Sequence, residues 1–248
     1  MKKQSKGFTL VELLVVIGIL GILMSALFPA ISSVMNNAKQ MEVQSKGRKL
    51  YQQIVQAGIR SVEKDAWARW PRSSENKSDD GEDISGMVFS TSTEYFTELL
   101  DIKKYGTKNW RPLVKDITTA ELCGSGVPAP KPGQLQPRNV MWCIAKGVTA
   151  EAVPDIVPIL VTRNADVTAL FTTGDFNGTD KKEVGVGKEN GGESASPFGT
   201  DSFILVRRGG DVEAIDSAEA TLQKIYKGQQ FTISSDAGFD YLKTGASN

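Results

Sequence analysis

Apolar and polar positions divide this 248-residue chain into three patterns. Across residues 8–35 nearly every side chain is apolar, and Glu12 is the only ionisable one. A run apolar on every face predicts a helix that is fully buried or spans a membrane. As a helix it would measure about 42 Å, more than the roughly 30 Å hydrocarbon core of a bilayer. Over residues 36–65 the apolar positions thin to a spacing of three and four. Met41, Val43, Leu50, Tyr51, Ile54, Val55, Gly58, Ile59 and Val62 take one side, and Lys39, Lys46, Arg48, Lys49, Gln52, Gln53 and Arg60 the others. This predicts an amphipathic continuation of the same helix, weakened at Gly47 and Gly58. Read alone, it fits a linker helix below a membrane anchor equally well.

Beyond residue 65 the pattern shortens. Trp67 and Trp70, at i and i+3, read either as core anchors or as a membrane-interface belt. Residues 71–86 are polar and predict a loop. Tyr95, Phe96, Leu99, Leu100 and Ile102 predict a short helix with Thr93 as its N-cap. Residues 140–145, 156–162 and 167–173 are β-branched runs between turn residues, and predict strands. Pro158 makes the second of them an edge strand, because proline cannot donate to a ladder. Residues 203–207 and 211–215 flank Gly209-Gly210 and predict a hairpin. Residues 231–234 predict a last strand. The expected fold class is α+β: a long N-terminal helix packed on a C-terminal antiparallel β-sheet domain.

A carboxylate inside a membrane-length run costs on the order of 2.5–3.5 kcal/mol at mid-bilayer, so Glu12 needs a reason. It either snorkels to the headgroups or has a function. An ordinary secretory signal does not fit, because the run is too long and no clear Ala-x-Ala follows it, so an uncleaved signal anchor is the competing reading. Gly18, Gly21 and Pro29 mark either a tolerated kink or a place where the helix bends locally. Lys2, Lys3 and Lys6 precede the run, but Lys39, Lys46, Arg48 and Lys49 follow it. The positive-inside rule therefore barely chooses an orientation.

The stretch Lys6-Gly7-Phe8-Thr9-Leu10-Val11-Glu12, after Lys2 and Lys3 and before the apolar run, resembles the leader and first helix of type IV pilins and type II secretion pseudopilins. Pro29 also falls where that family's helix commonly carries a proline. The resemblance covers residues 1–35, with weaker support to about residue 65. It implies a leader over 1–7, a transmembrane and filament-core helix over 8–35, its amphipathic continuation over 36–65, and a periplasmic domain over 66–248. It further implies that a prepilin peptidase cuts between Gly7 and Phe8 and methylates the new Phe8 amine. Glu12 would then pair with the Phe8 amine of a neighbouring subunit. The implied location is the bacterial inner membrane, single-pass, and afterwards a pseudopilus or pilus. The implied partners are other pilin-like subunits, the peptidase, an inner-membrane assembly platform and lipid. Glu12 lies one helical turn from Phe8, so the pairing is geometrically sound.

Composition narrows the alternatives. Lys+Arg and Asp+Glu are 29 each, which leaves no electrostatic case for nucleic acid. The absence of histidine removes Ser-His-Asp and Cys-His nucleophile systems and histidine metal sites. Carboxylate-pair or lysine chemistry survives, but no constellation suggests it. Cys123 and Cys143 are an even pair in a segment expected outside the cytoplasm, and enclose a turn-rich stretch. They suggest a disulfide stabilising by about 3 kcal/mol, with two buried free thiols as the alternative. Asp175, Asn177 and Asp180 alternate around Gly178 as in calcium loops, and some pseudopilins bind calcium in a C-terminal loop. The match is incomplete, since Val186 stands where an EF-hand needs its last glutamate. The alternative is a polar turn whose side chains cap their own backbone. No other cofactor is indicated. The leading expectation is a structural filament subunit supporting protein secretion. The alternatives are a minor tip subunit or a membrane-anchored periplasmic binding module, and an anchored enzyme is the weakest.

Overall fold

Helix α1 runs over Leu10–Ile59 in the computed structural model, which describes residues 9–59, 67, 69–73, 88–100, 117–124, 129–131, 134–149, 151–187 and 201–245. The helix is unbroken through Pro29. The chain divides into two units, Met1–Lys39 and Gln40–Asn248, and α1 contributes residues to both.

In the first unit α1 exposes apolar side chains on every face. Leu10, Val11, Ile17, Ile22, Phe28 and Val34 are all at least 60 % exposed. Among the described residues no helix is long and apolar enough to cross a membrane. The backbone helix and the apolar sequence both continue to Met35.

In the second unit α1 is one-faced. Val43, Leu50, Ile54 and Ala57 are fully buried, at the spacing of three and four that places them on one stripe. The stripe belongs to the core built on a five-stranded antiparallel sheet, ordered β5-β4-β2-β1-β7. These strands are β1 Trp142–Lys146, β2 Pro158–Thr162, β4 Ser202–Arg207, β5 Val212–Asp216 and β7 Asp240–Leu242. A second sheet pairs β3 Gly174–Phe176 with β6 Phe231–Ile233. Three short α-helices, α2 Ser92–Leu100, α3 Thr119–Leu122 and α4 Leu222–Ile225, and four 3₁₀ turns complete the described elements.

The α+β class and the hairpin over 202–216 match the sequence reading. Gly210 takes φ +86° in its turn, a conformation that favours glycine. Trp70 is fully buried in the core, and the partly buried Trp67 packs against it edge-on at 5.8 Å. Of the predicted loop 71–86, residues 71–73 are described, and the Pro71 carbonyl accepts the Gly147 N–H at 2.9 Å. The rest of that loop, the predicted helical residues 60–65 and Ile102 lie outside the described residues.

Three expectations need correction. The strand with Pro158 is not an edge: β2 pairs with β1 on one side and β4 on the other. Proline is tolerated because it opens the strand and the register shifts between Pro158 and Leu160. Residues 167–173 hold no strand. Asp166 accepts the Thr168 N–H and hydroxyl, which closes a 3₁₀ turn at Val167–Ala169 instead. Thr93 does not cap α2. Thr91 does, accepting the Glu94 N–H at 3.1 Å, while the Thr93 hydroxyl donates to the Thr244 carbonyl.

Gly47 explains how closely α1 approaches the sheet. A Cβ there would lie 2.7 Å from Trp142 Cη2 and 3.0 Å from Val206 Cγ2. The glycine costs about 1 kcal/mol of helix propensity but lets a buried indole lie against the helix backbone. Trp142 Nε1–H is satisfied by the Glu121 carbonyl at 3.1 Å. Replacing Gly47 with Val should overpack this contact and lower the unfolding free energy by about 2 kcal/mol in a urea titration. An unchanged midpoint would contradict the close approach.

Candidate functional site

The first turn of α1 is built by Thr9 and Glu12. The Thr9 N–H donates to Glu12 Oε2 at 2.8 Å, and the Thr9 hydroxyl donates to the same oxygen at 2.9 Å. The Glu12 N–H returns a bond to Thr9 Oγ1 at 3.3 Å. This is a reciprocal capping box, which satisfies helix-end donors that would otherwise lack partners. Helical bonding follows at once, with the Leu13 N–H on the Thr9 carbonyl at 3.3 Å. The carboxylate also sits where the helix dipole is positive. Glu12 Oε1 makes no hydrogen bond among the described residues. The carboxylate therefore closes its own helix with one oxygen, and the other has no partner among the described residues.

The sequence reading took Glu12 as a costly charge with an assembly role and did not read it as a cap. The Thr-x-x-Glu spacing that signals the box was readable, and Thr118-x-x-Glu121 uses the same device at α3. Gly7 and Phe8 lie outside the described residues. Around Gly18 and Gly21 nothing lies within 4 Å of an added Cβ, so this stretch is open to a close neighbour.

Cys123 and Cys143 are buried free thiols, which corrects the expected disulfide. The alternation of β1 accounts for it. Trp142 turns toward Gly47 of α1, so the next residue, Cys143, turns to the opposite face of the strand. Cys123 has other neighbours: its carbonyl accepts from Lys46 Nζ at 3.2 Å, and Lys46 also acts on its thiol. Burial pushes the Cys143 thiol up to about 12, against the smaller opposing effects of Arg163, the Thr244 backbone and Lys243. Burial also raises the Cys123 thiol, opposed by Lys46.

The candidate calcium ligands serve their own turn. Asp175 Oδ1 accepts from the Thr232 hydroxyl at 2.6 Å across the β3–β6 pair. Asn177 Oδ1 accepts the Thr179 N–H, and Asp180 Oδ1 the Lys182 N–H. Among the described residues no group of three or more Asp, Glu, Cys or His side chains could hold a metal ion. This geometry gives the calcium expectation no support.

Residues 2–28 match the prokaryotic N-terminal methylation motif, the hallmark of prepilin-type segments. No curated protein and no solved structure matches the chain.

Unfolded in guanidinium without reductant, both cysteines should alkylate. Folded at pH 8, Cys143 should stay unreacted, because its thiolate fraction is negligible. A chain that alkylates only after reduction would contradict the free-thiol assignment.

Proposed function

From a chain that carries the prepilin-type N-terminal segment of type IV pilins and pseudopilins, we propose a structural filament subunit whose first helix is its assembly element. The segment implies processing by a prepilin peptidase and association with other pilin-like subunits, and it supports a structural subunit. In the proposed sequence the chain waits in the inner membrane through residues 8–35, with residues 66–248 in the periplasm. Cleavage at Gly7-Phe8 creates an amine at Phe8. Subunits then leave lipid and pack by their first helices into a type II secretion pseudopilus or a type IV pilus, which supports protein secretion.

The observation that carries this reading is the union of an all-round apolar helix with one carboxylate at its start. Identical apolar helices slide past one another at little cost. One charged contact per subunit penalises every wrong stagger, as single polar residues do in coiled coils. At about 4 Å and an effective dielectric near 20, an amine and the Glu12 carboxylate attract by roughly 4 kcal/mol before desolvation is subtracted.

The capping box dictates the variants that test it. Glu12→Ala loses both the cap and the charge, whereas Glu12→Gln keeps a capping side chain and loses only the charge. Both are expected to be cut at Gly7-Phe8 and both to vanish from sheared filaments. Filaments of Glu12→Gln at wild-type yield would contradict a role for the charge, and an uncut wild-type chain would contradict the whole reading.

A further inference from the structure

Side chains alternate along residues 175–179. Asp175, Asn177 and Thr179 are exposed, and Phe176 and Gly178 are buried. Past the end of β3 the chain turns at Gly178, and an acid, an amide and a hydroxyl are left facing solvent. The backbone beneath is anchored. Phe176 stacks on Phe231 at 5.0 Å and meets Tyr226 at 5.0 Å. Gly178 takes φ +79° and lies so close to Gly228 that a Cβ would stand 2.5 Å from the Gly228 carbonyl oxygen.

Asn177-Gly178-Thr179 is an Asn-x-Thr triplet with no proline at its centre, the acceptor sequence for N-linked glycan. Thr179 donates its N–H at 2.9 Å and its hydroxyl at 3.0 Å to Asn177 Oδ1. Asn177 Nδ2 makes no hydrogen bond among the described residues, and its side chain faces solvent. Both donors draw electron density onto the amide oxygen and so make the Nδ2 protons easier to lose. No side chain at Gly178 screens the approach.

We propose that Asn177 is a glycan acceptor, modified by an oligosaccharyltransferase that uses a polyprenyl-diphosphate-linked oligosaccharide. Nδ2 attacks the anomeric carbon of the donor sugar. The bond from that carbon to the diphosphate oxygen breaks, and the lipid diphosphate leaves with its electron pair. Nδ2 gives up one proton to a base of the transferase, and an N-glycosidic bond remains. Thr179 is the positioning residue. The inference rests on the reading that residues 66–248 reach the periplasm, since such acceptors are surface segments of exported proteins.

A second triplet, Asn76-Lys77-Ser78, supplies an internal comparison. It lies outside the described residues, and Ser74 stands where Asp175 precedes Asn177. The full chain, purified in detergent, is incubated with a bacterial oligosaccharyltransferase and a polyprenyl-diphosphate oligosaccharide, then digested for peptide mass spectrometry. The expected result is a glycan mass on the peptide containing Asn177. It should be lost in Asn177→Gln and Thr179→Ala, and restored in Thr179→Ser, which keeps the hydroxyl. No mass gain at Asn177, or a gain confined to Asn76, overturns the inference. Neither result touches N-terminal processing or filament formation, and an unprocessed chain could still accept the glycan in this assay, so the two readings fail separately.

Discussion

Hydrophobic surface that α1 cannot bury within its own unit is the constraint on which the rest depends. Burying a Leu, Ile, Val or Phe side chain fully is worth about 1.5–3 kcal/mol. The first unit leaves a whole series of them uncovered, from Leu10 to Met35. Such a surface persists only against lipid or against another apolar surface. It has no polar side to turn toward water, so a one-sided surface helix is excluded. Both proposed states, in lipid and in a filament, meet that demand. Passage between them exchanges one apolar cover for another.

Nonspecific attraction of that kind carries no address. The Thr9–Glu12 box shows how a single carboxylate can serve two purposes. One oxygen closes the helix end, which keeps the first turn from fraying, and the other has no partner among the described residues. In the second unit α1 is held by specific shape. Gly47 admits Trp142, and Tyr51 donates to the Arg208 carbonyl at 2.6 Å. Lys49 meets Glu121 at 2.5 Å. One helix thus follows two rules, undirected apolar contact in the first unit and shape-specific packing in the second.

Much of this was legible in the residues. The change from an all-round to a one-faced apolar pattern near residue 40 marks the division between the units. The β-branched runs at β1, β2 and β4 announced the central strands. Local polar chemistry was harder to read. Asp166 bends a β-branched run into a 3₁₀ turn, and Thr91 rather than Thr93 supplies the cap of α2. Pro158 misled because its place at the start of a strand is a tertiary fact. β3 and β7 are three residues each, too short for periodicity to register. The cysteine pair looked bridged from its even count, its expected location and the turn-rich stretch it encloses, but each thiol is buried and free. The capping box was present in the letters, but a charge inside an apolar run drew attention from its neighbour.

The most direct test weighs the chain itself. Intact-mass spectrometry of the protein recovered from the cell envelope should find a species that begins at Phe8, carries one added methyl group, and lacks residues 1–7. A chain that keeps its first seven residues, with no methylated form at any stage, would contradict the claim that α1 is a matured assembly element.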